Sequence, residues 1–362
     1  MDNNRRQWLK GSVAASVLVG SHAVSALAAT SQPFEGQTPF LVPPALNHQQ
    51  GYRLATFIPS SGEKARVGVV LDDGQILDVA HAASVQKIKL GFDPFSMLSL
   101  IATGNHGIAE LQKLLAHAGM THGTRKYRVD HVKLLSPIPK PQSNIYAVGW
   151  NYLDHFEEGL KNRADKTATK IPDHPVFFSK GVFTMNGPFD PIPYDPSNSP
   201  TADWEVELAI IIGQRGRDIS EADAMNYVYG YSVYNDTTVR EVQQKRHGGQ
   251  WFKGKSLDGY GPMGPWIVTA NGFDLNQARM ICRVNGVEKQ NGSYEQMYFK
   301  IPRIIAELSR GTTLDAGDII ATGTPPGVGF ARTPPEFLKA GDVMESEITG
   351  IGIIRNTIKT ES

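Results

Sequence analysis

Two glutamates spaced two apart and an aspartate further along the chain are the groups best placed to share a cation. Glu205 and Glu207 stand in DWEVELAIIIG, where Val206, Leu208, Ile210 and Ile212 alternate with Glu205, Glu207, Ala209 and Ile211. A period of two with β-branched residues predicts a strand, which puts both carboxylates on one face. Residues two apart on a strand are separated by ~6.6 Å at ~3.3 Å per residue, close enough for both to lean toward one ion. A second strand-like run, YVYGYSVYND, ends in Asp236, which can bring a third carboxylate. Three hard oxygen donors with no nearby Cys or His pair select Mg²⁺ or Mn²⁺ over Zn²⁺, with Ca²⁺ also admitted. Alternation of this kind more often marks a solvated edge strand. Here AIIIG stays apolar on both faces, so the strand runs into a core where unpaired carboxylates are costly, and a cation site is preferred.

Two further groups could act beside such a site. In YLDHFEEGL, a helix would place His155 and Glu158 at i and i+3 on one face, with the carboxylate holding the imidazole in one tautomer. Spacing alone equally describes an ordinary exposed helix start with acidic residues near its N-terminus, and taken alone favours it. Lys255 closes GQWFKGKS, residues 249–256, which match the phosphate-loop pattern G-x-x-x-x-G-K-[ST] letter for letter. That loop works only between a strand and a helix N-terminus. The following LDGYGPMGPW holds two prolines and three glycines, which forbid a helix, so nucleotide binding is excluded.

The elements that must position these groups follow from the pattern. RLATFI and ARVGVVL, split by PSSGEK, predict a hairpin, and DDGQILDVA a turn and a further strand. FSMLSLIATG and HGIAELQKLLAHAG carry helix-spaced apolar residues, with Gly119 as a stop. These make a small α+β domain over residues 51–135, bounded by the linker SPIPKPQ at 136–142. A mostly β domain over 143–360 starts with SNIYAVGWNY and closes with KAGDVMESEITGIGIIRNTI. TGTPPGVG, from Thr322, fixes a tight loop after the short strand DIIA.

With 362 residues the chain can bury a sizeable core, and 40% hydrophobic with 20% charged residues is an ordinary soluble composition. Lys plus Arg equals Asp plus Glu at 36 each, so no basic surplus argues for nucleic acid or an anionic membrane. Cys282 is the only cysteine and lies in the apolar-alternating MICRVNGV, as a buried inert thiol does. The first 29 residues differ in kind. NRRQWLK, an uncharged run over 11–29 and the A-x-A pattern Ala26, Leu27, Ala28 describe a twin-arginine export signal, with Asn4 and Trp8 departing from the usual motif. Its removal leaves 33 basic against 35 acidic residues. Residues 30–50 predict an irregular arm.

Five ordered motifs, GWNYLDHFEE from Gly149, DWEVEL from Asp203, ND at Asn235 and Asp236, GKS from Gly254, and TGTPPGVG from Thr322, resemble the signature of the fumarylacetoacetate hydrolase family. The likeness runs over about residues 144–356, with a weaker match upstream from Arg53. It implies a mixed β-sandwich roll, a homodimer, and a divalent cation held by Glu205, Glu207 and Asp236. It also implies that His155 and Glu158 activate water from a mobile lid, continued by KNRADKTATK, and that Lys255 binds a substrate carboxylate or stabilises an enolate. Thr324 is implied to contact substrate, and so, on weaker matches, are Arg240, Gln243 and Lys180. Ser-Ala-Arg-Asp is usual where Thr237, Thr238, Val239, Arg240 and Glu241 stand. The function so implied is metal-dependent hydrolysis of a carbon–carbon bond in a 2-oxo or 1,3-dioxo acid, of acylpyruvate or fumarylacetoacetate type. Decarboxylation, hydration or isomerisation at the same site is the alternative, and an exported non-catalytic oxo-acid binder a third.

The expected location is periplasmic, with no stable membrane insertion once the signal is removed. Changing Arg5 and Arg6 together to Lys should strand the precursor in the cytoplasm. Fractionation that finds the variant exported as well as the parent would remove the twin-arginine assignment.

Overall fold

The computed structural model describes residues 51–118, 123–160 and 169–360. The export signal, the arm and most of the KNRADKTATK segment lie outside the described residues.

The strand that carries Glu207 and follows directly on Glu205 spans Val206–Ile212 and is buried along its whole length. It runs antiparallel between Val228–Asn235 and Ile319–Ala321. Val206, Leu208, Ile210 and Ile212 pack on one side with Met280, Met344, Ile348 and Ile354 of a second sheet. Ala209 and Ile211 pack on the other with Leu100, Leu111 and Leu114 of two helices. The unbroken apolar run thus has the cause inferred from it: both faces are covered, and the solvated-edge alternative fails.

The order across this sheet is Lys126–Arg128, Gln75–Asp78, Arg66–Val70, Arg53–Ile58, Gly261–Thr269, Val228–Asn235, Val206–Ile212, Ile319–Ala321, Ile145–Gly149 and Val176–Lys180. Two short strands, Lys133–Leu134 and Met185–Asn186, attach to its middle members. Most pairs are antiparallel, but Ile319–Ala321 runs parallel to Ile145–Gly149. The second sheet orders Val287–Ser293, Arg279–Val284, Val343–Ile348, Gly352–Thr360 and Ile192–Tyr194. Helices Val79–Gln86, Met97–Ala102 and Asn105–Ala118 cover the first sheet's outer face. The chain is therefore α+β, with mixed sheets stacked face to face and helices to one side.

Main-chain pairing crosses the 136–142 linker, since Arg53 and Leu54 face Val268 and Ile267 in neighbouring strands. The run DDGQILDVA ends as a strand at Asp78, earlier than the sequence suggested. The Asp78 carboxylate accepts the His81 N–H and caps the helix Val79–Gln86, which the sequence analysis missed. Cys282 is buried, and burial pushes its thiol up, which keeps it unreactive.

One side chain of the second sheet fixes where the glutamate strand begins. Gln290, 1% exposed, accepts the Val206 N–H at 3.0 Å and donates to Thr324 Oγ1 and the Pro325 carbonyl, each at 2.7 Å. Thr324 Oγ1 in turn donates to the Val206 carbonyl at 3.0 Å. Replacing Gln290 by Leu leaves these buried groups unpaired, at ~1–3 kcal/mol for each donor or acceptor orphaned. Chemical denaturation should show Gln290→Leu less stable by about 2–5 kcal/mol, whereas a loss near zero would mean that water replaces the amide.

Candidate metal centre and its base

Val206 pairs with Asn235 across the ladder, so the residues just outside that pair, Glu205 and Asp236, are neighbours. The Asp236 N–H donates to the Glu205 carbonyl at 2.8 Å. Glu207 lies two residues on, on the same face as Glu205. Ligand oxygens of Glu205, Glu207 and Asp236 all lie within 4.8 Å of one another, and all three residues are buried.

Three buried cations answer this charge. Lys255 Nζ donates to Glu205 Oε2 at 2.8 Å, to Asp236 Oδ2 at 2.6 Å and to Thr238 Oγ1 at 2.9 Å. Lys180 Nζ donates to the carbonyls of Thr237 and Tyr260 and stands 2.7 Å from Asp236 Oδ1. Arg240 puts Nη2 2.6 Å from Glu205 Oε1 and donates from Nε to Asp203 Oδ2 at 2.8 Å. Asp203 also accepts the N–H groups of Gly329 and Phe330, and the Arg240 guanidinium lies 4.3 Å from the centroid of the Phe330 ring. Asp203 was quoted within a motif but given no role from sequence. It lies on the short strand Ala202–Asp203, separate from Val206–Ile212, and no local pattern marks it.

These charges divide the carboxyls. Burial would raise Glu205, but Arg240, Lys255 and His155 outweigh it and hold the group down at about 2. Glu207 is pushed well up, by burial first and then by Asp236 and Glu205. Burial also lowers the Lys180 ammonium, with Asp236 opposing, whereas Lys255 is raised because Asp236 and Glu205 together exceed its burial.

A divalent ion fits here. The donors are hard oxygens, an ammonium already stands between Glu205 and Asp236, and Asp236 Oδ1 is buried with no hydrogen-bond donor despite the Lys180 ion pair.

The candidate base sits on a separate element. His155 and Glu158 lie on helix Leu153–Gly159, with His155 Nδ1 2.9 Å from Glu158 Oε1. Against a carboxylate that nitrogen is the donor, which leaves Nε2 as the basic one. The TGTPPGVG loop serves both sites through two glycines. Gly323 and Gly327 have φ of 97° and 105°, a region costly for side-chain-bearing residues. The Gly323 N–H donates to Glu207 Oε2 at 2.8 Å, and the Gly327 N–H to both Glu158 oxygens at 3.0 and 2.9 Å. Asn151 ties the preceding turn down by bonding Phe299 and the Thr322 carbonyl.

Of the residues named from sequence, His155, Glu205, Glu207, Arg240, Gln243, Lys255 and Thr324 line one cavity of about 290 Å³. Lys180 and Asp236 are not among its lining residues. Lys180, expected near substrate, is fully buried as the counter-ion of Asp236. The three donors of Lys255 are all engaged on the carboxylates and Thr238. Glu158 sits behind His155 as its partner. Trp150, Phe178, Trp251 and Phe330 also line it, and no role was read for them from sequence. Residues 249–256 form a turn and the short helix Phe252–Lys255, preceded by helix Arg240–Lys245 and followed by strand Gly261–Thr269. The strand–loop–helix context of a phosphate loop is therefore missing.

The family model for the fumarylacetoacetate (FAA) hydrolase C-terminal region matches residues 144–359. The chain belongs to the fumarylacetoacetate hydrolase family. It is 41% identical over 296 residues to oxaloacetate tautomerase YisK of Bacillus subtilis, covering 81% of this chain and 95% of that one. Among solved structures, a fumarylacetoacetate hydrolase from Exiguobacterium antarcticum superposes with a TM-score of 0.70 at 37% identity, over 86% of this chain and all of that one. A maleylpyruvate hydrolase from a Sphingobium species, solved with manganese(II) and pyruvate, gives 0.65 at 28% identity over the same share of each.

The split between the carboxyls makes two variants diverge. Glu205→Ala strips Arg240 and Lys255 of a buried partner and should cost about 3–5 kcal/mol of stability. Glu207→Gln removes a carboxyl that burial already drives toward neutrality and keeps an acceptor for Gly323. It should unfold no earlier than the parent in metal-free buffer, yet bind Mn²⁺ at least ~10²-fold more weakly by calorimetry. In the parent, ion binding needs the ionised Glu207, whose fraction grows as pH rises through its elevated pKa. Affinity should therefore increase with pH, with a proton released on binding. Equal affinities for parent and Glu207→Gln would take Glu207 out of the site.

Proposed function

We propose that this chain interconverts the keto and enol forms of a small 2-oxo acid of the oxaloacetate class, using a divalent cation, Mg²⁺ or Mn²⁺, at Glu205, Glu207 and Asp236. The observation that carries it is the placement of His155, oriented by Glu158, on the same cavity wall as two of those carboxylates. The 41% identity to an oxaloacetate tautomerase, over nearly all of that protein, supports the choice of substrate.

When bound, the cation would draw electron density from the 2-oxo oxygen and so acidify the neighbouring C3–H. His155 Nε2 takes that proton, the C3–H electron pair forms the C2–C3 double bond, and the carbonyl π pair moves to the oxygen. The same proton, or one from water, then goes to the oxygen to complete the enol, and the reverse steps return the keto acid. The Glu158 carboxylate stabilises the transient imidazolium, and Gly327 fixes that carboxylate so that the ring stays aimed. Arg240 and Gln243, bonded to each other at 3.2 Å, present polar groups to the substrate carboxylate. The Thr324 hydroxyl borders the same space.

The resemblance alone put carbon–carbon hydrolysis first. That remains the second reading, supported by the maleylpyruvate hydrolase likeness, and it asks the same imidazole to deprotonate water instead of carbon. Pairing of two copies and export to a periplasm belong to the same proposal, with sedimentation velocity the test of the first.

His155→Ala should lower kcat for oxaloacetate tautomerisation by ~10²–10⁴-fold while leaving Mn²⁺ affinity intact, and Glu158→Gln should do less harm. The assay follows enol absorbance with acylpyruvate cleavage run in parallel. A His155→Ala enzyme that keeps full rate on both substrates would end the role given to His155. Cleavage by the parent without tautomerisation would put the hydrolase first.

A further inference from the structure

Four aromatic rings run in succession along one side of the catalytic cavity. Phe156, next to the base, meets Trp150 edge-on at 5.7 Å between centroids. Trp150 meets Trp251 at 5.2 Å and an interplanar angle of 72°, and Trp251 meets Phe178 at 5.3 Å and 66°. The Lys255 ammonium then lies 5.0 Å from the Phe178 centroid. Trp150, Phe178 and Trp251 all line the cavity. The rings therefore form a continuous wall from the helix of His155 to the cation at the carboxylate cluster. Edge-to-face contacts of this kind add ~0.5–1.5 kcal/mol each beyond the area they bury, so the wall is stiff, and the middle member of the three rings that line the cavity is held from both sides.

That middle member is Trp251, and the backbone opposite it has been kept bare. Gly149 has an ordinary φ, so its lack of a side chain is not a conformational demand. A Cβ there would collide with the six-membered ring of Trp251, at Cζ3 and Cη2. Glycine at 149 is what lets the indole lie flat against the end of strand Ile145–Gly149. The proposed function puts the substrate's 2-oxo acid end at the carboxylate cluster, and this aromatic side is an apolar part of the lining against which its remaining carbons can extend.

We infer that Trp251, seated on Gly149, is the residue that limits the length of the group beyond the 2-oxo acid, selecting short substrates over long-chain ones. The inference rests on the proposed 2-oxo acid function and adds the size of the substrate to it. A hydrophobic wall of this kind discriminates by about tenfold or more per methylene that it admits or refuses.

The test is binding, not turnover. Calorimetry with Mn²⁺ present gives dissociation constants for pyruvate, 2-oxopentanoate and 2-oxooctanoate with the parent, Trp251→Ala, Trp251→Phe, Gly149→Ala and the Gly149→Ala/Trp251→Ala double variant. The parent should bind pyruvate more tightly than 2-oxooctanoate. Trp251→Ala should shift that ratio toward the long acid by at least about tenfold, with Trp251→Phe shifting it the same way by less. Gly149→Ala pushes the indole into the cavity and should shift the ratio the other way. That effect should vanish in the double variant, because the colliding ring is gone. A merely structural tryptophan would weaken all three acids alike. Should Trp251→Ala fail to fold, Trp251→Phe and Gly149→Ala still give opposite shifts. A length ranking that every variant preserves overturns this inference alone, with the function standing. A parent that binds none of the three acids overturns both.

Discussion

Buried like charge is the constraint on which this structure turns. Asp203, Glu205, Glu207 and Asp236 are all almost wholly inaccessible and lie at the start of one strand and the end of its neighbour. Two carboxylates separated by about 5 Å at an effective dielectric of about 20 repel by ~3–4 kcal/mol. Several such pairs would match the whole stability of a domain, ~5–15 kcal/mol. The cluster is tolerable only because Arg240, Lys180 and Lys255 are brought to it by three other segments. The helix Arg240–Lys245 and, after it, the short helix Phe252–Lys255 follow strand Val228–Asn235, so the chain that supplies Asp236 also supplies two of the cluster's neutralising groups. Gly254, between them, packs where a side chain would strike the backbone of Gln243. The GKS motif is thus a close-packing requirement as much as a chemical one.

The same economy applies to the base. His155 is tied to the centre through the TGTPPGVG loop, which holds Glu158 by one glycine N–H and Glu207 by another. The proposed cation ligand Glu207 and the imidazole partner Glu158 therefore share a rigid frame although they lie on different elements. A proton acceptor and a polarising centre fixed to one loop can serve enolisation or hydrolysis alike. What separates the two is whether water or a substrate carbon stands before Nε2, and the wall built by Trp150, Trp251 and Phe178 bears on that choice by setting the room left for water.

Much of this could be read from the chain. The period of two in DWEVELAIIIG, with its apolar continuation, correctly indicated a strand buried on both faces. The hairpin, the two N-terminal helices with clear periodicity and the closing strands also follow from pattern. The helix Val79–Gln86 was missed because VAHAASVQ has almost no amphipathic contrast, and only the Asp78 cap marks its start. Lys180 was misplaced because sequence shows that a lysine is near a site but not which side of the ligand it faces. Here it lies behind Asp236, inside the core. Asp203 and Gln290 were invisible for another reason. Their partners, Arg240 and Phe330 for one and Val206 and Thr324 for the other, are distant in sequence, and polar residues in a strand carry no sign of which long-range bonds they make.

The central claim is that the carboxylate cluster is a cation site and not simply a neutralised polar core. Anomalous diffraction from crystals equilibrated with Mn²⁺, recorded above and below the manganese edge, tests it most directly. The account predicts one peak per chain, bonded to Glu205, Glu207 and Asp236, with the Lys255 ammonium withdrawn from its place between Glu205 and Asp236. A cluster that stays closed around Lys255 at saturating Mn²⁺, with no peak there, would contradict it.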